Sequence, residues 1–251
     1  MAQQPPRPAS QALEAALAPH GLSLRGHWRP GAQDRLPLLP DSGVPALVWM
    51  VGQLGTQSWA PFKSSRFFSD GLPDPLDRWS QSIGDALALE FGGLALYPFG
   101  GPPWHPFQQW AARAEGLQTS PLMLLIHPEF GLWHAYRFAL ALPELADDAT
   151  STGAAPQAIA GTWPGATLSD ICTQCVGQPC LKACPVDAFS GGVYQVDACA
   201  THLHSAQGQD CMRQGCQARL ACPVGAAHRY GGEQAQFHMQ SFASLHAGKD
   251  C

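Results

Sequence analysis

Eight of the nine cysteines lie between Cys172 and Cys222, leaving only Cys251 outside that stretch. Two segments within it end alike: Cys184-Pro185-Val186-Asp187-Ala188 and Cys222-Pro223-Val224-Gly225-Ala226. Upstream of the first stand Cys172, Cys175 and Cys180, giving C-x2-C-x4-C-x3-C-P. Upstream of the second stand Cys199, Cys211 and Cys216, whose final spacing is C-x4-C-x5-C-P. The stretch is therefore an internal repeat. The N-terminus, Met1 to Arg7, lacks the charged-then-apolar order of a secretory signal. A cytoplasmic location follows as the expectation, and there thiols stay reduced and serve metals more often than disulfides.

Both runs resemble the bacterial ferredoxin run C-x2-C-x2-C-x3-C-P with short insertions, a run whose fourth cysteine serves the other cluster in two-cluster proteins. Three close cysteines can wrap one side of a cubane, and its fourth corner needs a thiolate from elsewhere. The proline after the last cysteine fixes φ and removes a donor, turning the chain away. Two [4Fe–4S] clusters are thus expected, one on Cys172, Cys175, Cys180 and Cys222 and one on Cys199, Cys211, Cys216 and Cys184. Structural zinc favours paired C-x2-C knuckles, and only Cys172 and Cys175 form one. His202 and His204 sit inside the array as alternative ligands or, more simply, loop residues. Cys251 reads as a free thiol.

Charged residues make up 13% of the chain, about half the usual share, alongside 26 Gly and 23 Pro. The surface should be loop-rich and poor in ion pairs. Net charge is −5, with no basic run, so a phosphate-neutralising nucleic-acid surface is not expected. No apolar stretch is long enough to span a membrane.

Periodicity supplies the rest of the organisation. Ser10 is a cap candidate for a short helix stopped at Pro19. Ala46 to Val51 reads as a buried strand bounded by Pro45 and Gly52. Asp74-Pro75 opens a helix carrying Leu76, Trp79, Ile83 and Leu87 at helical spacing. Gly93 to Tyr97 is a strand, and Phe107, Trp110, Ala111 and Ala114 mark a helix ending at Gly116. Leu122–Ile126 and Trp133–Leu142 read as strands joined by a hairpin-sized connection, and Phe237, Phe242 and Leu245 suggest a last helix. The expected class is α+β: a domain over 1–147, a linker over 148–166, and a cysteine-rich domain with its tail over 167–251.

The cysteine array, with Val196-Asp197-Ala198-Cys199 leading into its second half, resembles the iron–sulfur domain of epoxyqueuosine reductases and corrinoid reductive dehalogenases. Tyr97-Pro98-Phe99-Gly100-Gly101-Pro102 looks like the Tyr-x-Asp-x-Gly-Pro turn of the former. The run Ile126-His127-Pro128-Glu129-Phe130-Gly131-Leu132-Trp133-His134-Ala135-Tyr136-Arg137 is similar to the cobalamin-processing chaperone of the cblC type. These resemblances imply a nitroreductase-like α+β domain followed by a small ferredoxin-like one. They also imply a corrinoid such as cobalamin, bordered by Ser120, Pro121, Leu122, Met123, His134, Ala135 and Tyr136, with His127 near its face and Arg137 near a corrin side chain. Two departures matter. Phe99 stands where the epoxyqueuosine reductases carry their proton-donating Asp, and Thr119-Ser120-Pro121 replaces their Gly-Lys-Asn.

Reduction of a tRNA epoxide is therefore not expected. The implied activity is that of an oxidoreductase passing electrons through two clusters to a bound corrinoid, reducing its cobalt or removing its upper ligand. The electron donor would be a flavodoxin, a ferredoxin or a reductase. Two rivals are a dicluster electron carrier without corrinoid and a flavin reductase, for which the sparse basic residues of 97–137 offer no clear FMN phosphate site.

Overall fold

Local signals in the first half of the chain place its helices on a small sheet. The computed structural model describes residues 9–143 and 171–246; the linker expected at 148–166 and Cys251 lie outside them. α1 (Ala9–Leu17) buries Leu13 and Leu17, an i,i+4 pair on one face. Ser10 lies inside this helix rather than at its cap. β1 (Ser23–Trp28) and β2 (Leu47–Leu54) pair antiparallel. β2 runs through Gly52, expected as its end, because the strand beside it leaves no room for a side chain: a Cβ there would stand 2.1 Å from the carbonyl oxygen of Ala135. Two short helices follow, α2 (Trp59–Lys63) and α3 (Arg66–Ser69). α4 (Pro75–Glu90) begins at the expected proline and buries Trp79, Ile83 and Leu87. β3 (Leu94–Leu96) and α5 (Phe107–Glu115) lie where the pattern put them, and α5 buries all four of its expected apolar residues.

The segment after α5 departs from expectation. Only β4 (Gln118–Thr119) and β5 (Leu125–Ile126) are extended, paired antiparallel as a two-stranded ribbon. Between them Leu122 to Leu124 turn instead of continuing a strand: Ser120 N–H donates to the Leu124 carbonyl, Met123 N–H donates to that of Ser120, and Met123 sits at φ 60°. Pro121 at the second position of such a turn is favourable, and period-two reasoning could not see it. β6 (His134–Leu142) then completes a four-stranded sheet of order β1-β2-β6-β3.

The cysteine region is built of short helices: α6 (Pro179–Lys182), α7 (Val196–His204), α8 (Gln209–Gln214), α9 (Gln217–Leu220) and α10 (Gly232–Leu245). α10 was anticipated from Phe237, Phe242 and Leu245. Its buried residues are instead Gln234, Ala235 and Ala243, with Leu245 exposed.

The chain divides into two compact units, and the division is not a single cut. The first takes residues up to Gly116 and resumes at Ala135; Leu117–His134 belongs to the second, with the cysteine region. A boundary near 147 would have left that segment in the N-terminal domain. The class is α+β, and no described helix is long and apolar enough to cross a membrane.

Candidate cofactor site

The two C-P segments fold alike. Asp187 and Gly225 occupy the same place in the repeat, and both are left-handed, at φ 49° and 70°. Three residues on, Ser190 N–H donates to the Asp187 carbonyl and His228 N–H to that of Gly225. Each turn delivers its last cysteine to a cavity furnished by the other run. Cys172, Cys175, Cys180 and Cys222 line one cavity, and Cys184, Cys199, Cys211 and Cys216 line a second. Their empty volumes, open mouths included, are similar at about 370 and 310 Å³. Ala218, fully buried, packs in the core cluster of Cys180 and Cys222 and also lines the second cavity. Ala218 thus joins the packing around Cys180 and Cys222 to the wall of the second cavity.

Burial pushes the thiols of Cys172 and Cys216 up to about 11. Thiolates in these cavities therefore need positive charge beside them, since an unpaired buried anion is costly. Part of the compensation is built in. Backbone N–H groups of Leu181, Gln217, Arg219 and Val224 bond Cys180, Cys211, Cys216 and Cys222, and the Tyr194 hydroxyl bonds Cys199. Ala188 N–H donates to Cys184 Sγ at 3.3 Å. All eight cysteines are free thiols. Among the described residues no three His, Cys, Asp or Glu side chains form a group able to hold a metal ion. A tetrahedral zinc site would require sulfurs at about 2.3 Å from a common point.

Ser120, Pro121 and Leu122, expected beside a corrin, line the first four-thiol cavity together with Ile126 and Leu132. Met123 is exposed. His127 is buried inside its own turn, where Nδ1 accepts hydrogen bonds from the N–H groups of Glu129 and Phe130, both at 3.1 Å. Accepting there leaves the ring proton on Nε2. His127 and Gly131 exchange backbone hydrogen bonds of 2.8 Å across the turn. That turn meets the second C-P loop backbone to backbone. A Cβ on Gly131 (φ 56°) would stand 2.0 Å from the Val224 carbonyl oxygen, and one on Gly225 would stand 2.3 Å from Phe130. Beside it, Arg219 donates to the Leu132 carbonyl and lies over the rings of Trp133 and Tyr230. His134 pairs through Nε2 with the Leu125 carbonyl at 2.9 Å.

In the first unit sequence reading missed a polar interior. Arg25, 2% exposed, forms a two-pronged ion pair with Glu115, 5% exposed, at 2.7 and 2.8 Å. Arg25 also donates to the Gln53 carbonyl at 3.0 Å, and Tyr136 donates its hydroxyl to Glu115. Arg137 donates to the Gln53 side chain, so both Tyr136 and Arg137 serve this network. Phe99 stacks on Tyr97 at 5.1 Å.

No protein-family model matches the chain, and no curated protein does. Among solved structures, the C. elegans B12-trafficking protein CblC, described as a homologue of human MMACHC, shares the fold. Its TM-score is 0.50 at 12% identity, over 96% of each chain.

Proposed function

We propose that this chain is a corrinoid-handling oxidoreductase whose second unit holds two [4Fe–4S] clusters, one on each set of four thiols. The observation carrying the reading is the sorting of eight cysteines into two sets of four around separate cavities, with N–H groups directed at sulfur. An all-thiolate donor set suits iron–sulfur chemistry, and a cubane core needs ligands set wider apart than a single ion does. When bound, such clusters supply single electrons. The protein's own contribution is to keep water from the thiols with Leu122, Ile126 and Leu132 on one side and Phe189, Leu203 and Met239 on the other. Ala218 keeps the two sites close.

The corrinoid half of the reading is supported by the likeness of fold to a B12-trafficking protein. Cobalamin is then the substrate: one electron from an external flavodoxin- or ferredoxin-class donor converts Co(III) to Co(II) and frees its upper ligand. A flavin phosphate has less to bind. Of the two arginines in 97–137, Arg113 pairs with Asp34 and Arg137 bonds Gln53.

Anaerobic reconstitution tests the first half, with about eight iron and eight sulfide per chain expected; zinc, or no iron, overturns it. Mixing dithionite-reduced, desalted protein with hydroxocobalamin tests the second. Appearance of the cob(II)alamin spectrum with matching cluster reoxidation is expected, and an unchanged cobalt spectrum refutes it.

A further inference from the structure

The second cavity has a histidine on its wall, and the first does not. Cys199 and His202 are both on α7, three residues apart, and so share a face of the helix. Both line the second cavity. His202 Nε2 is shut away from solvent and has no hydrogen-bond partner among the described residues. His204, on the same helix, bonds the Ala243 carbonyl instead at 3.2 Å. A buried ring nitrogen without a partner bears an uncompensated desolvation cost, so its place on a cavity wall calls for an acceptor within that cavity. No histidine lines the first cavity; its polar side chains besides the thiols are Ser120, which already accepts from Leu122 N–H, and the amide of Gln178.

We propose that His202 donates its Nε2–H to a sulfur of the cluster held by Cys184, Cys199, Cys211 and Cys216, so raising that cluster's potential. The inference rests on the two-cluster reading above. Four thiols already complete the ligand set, so His202 is a positioning residue rather than a fifth ligand. A hydrogen bond to cluster sulfur favours the reduced form, which carries more negative charge, and raises the potential. A wider cleft, about 790 Å³ with its open mouth included, is also lined by His202 and Cys211; an incoming donor would meet the cluster there.

The experiment is a redox titration of the anaerobically reconstituted full chain, followed by electron paramagnetic resonance, for wild type, His202→Leu and His202→Gln. Iron and sulfide content is measured on the same samples. In His202→Leu one midpoint should move to more negative potential while the other stays and iron is retained. His202→Gln, which keeps an N–H donor, should recover most of the shift. Two unmoved midpoints at full iron content overturn the inference, as does loss of about half the iron in both variants, which would make His202 a ligand. Wild-type protein that takes up no iron removes the cluster reading itself, and this inference with it.

Discussion

Phe62, Phe138, Leu140 and Leu142 are wholly buried in the first unit, whereas a core cluster of the second gathers around Cys180 and Cys222. A buried charge pair of the first unit, Arg25 with Glu115, finds its remaining partners in Gln53 and Tyr136. The thiols of the second face cavities. A hydrocarbon interior with a satisfied ion pair is complete from its own residues. An interior of thiols that face cavities is not, and under the two-cluster reading its stability belongs partly to the clusters.

The largest expected effect breaks the two units apart. Stripping iron anaerobically should sharply raise hydrogen exchange across 171–246 while 9–116 keeps its protection. Equal loss in both units would refute the contrast. Exchanging thiols sharpens it: Cys222→Ser should abolish the cluster that also needs Cys172, and Cys184→Ser the one that also needs Cys199. Iron should fall to about half in each case. Spectra showing that each substitution removes the cluster of its own run would undo the crossed arrangement.

Next in size, Glu115→Ala should destabilise the first unit by about 3–5 kcal/mol, because it leaves Arg25 buried and uncompensated. Iron content should not change. The pair Arg25→Met with Glu115→Leu should recover most of that loss in urea titrations. Gly131→Ala should act on the second unit alone, costing about 2–3 kcal/mol through its left-handed φ and the contact with Val224. An unchanged unfolding midpoint would show that the turn yields.

The smallest effect is electrostatic and belongs to the first unit. Arg78 and the Leu72 N–H hold the Asp70 carboxyl down to about 2, from a usual 3.8. A folded value below the unfolded one adds stability above about pH 4 that fades as pH falls toward 2. Asp70 lies at the exposed surface, where solvent screens the pair, so Asp70→Asn should remove only a shallow acid slope from the unfolding curve.

What the sequence revealed follows the same division. α4 and α5 were legible because Pro75 and Gly116 punctuate them and their apolar residues recur at helical spacing. The likeness of the two C-P turns was legible because their ends repeat in the sequence. β1 was not: Ser23-Leu24-Arg25-Gly26-His27-Trp28 does not alternate, its pairing shifts register between Leu24 and His27, and it buries an arginine. Nor was the allegiance of Leu117–His134, which depends on tertiary packing that periodicity does not encode. Glu115 hides similarly. A carboxylate at a helix C-terminus opposes the helix dipole, and only Arg25, distant in sequence, explains it. His202 had a faint signal, its three-residue offset from Cys199.

The discontinuous second unit also imposes a schedule on synthesis. The first unit has every described part once β6 has left the ribosome. Leu122, Ile126 and Leu132 emerge earlier still, but the wall they complete needs Cys222. At a translation rate of about 5–20 residues per second the wait from Leu122 to Cys222 is roughly 5–20 s. During that time an apolar strip stands without its partner on a nascent chain, an exposure that a holding chaperone would shield until the last cysteine turn arrives.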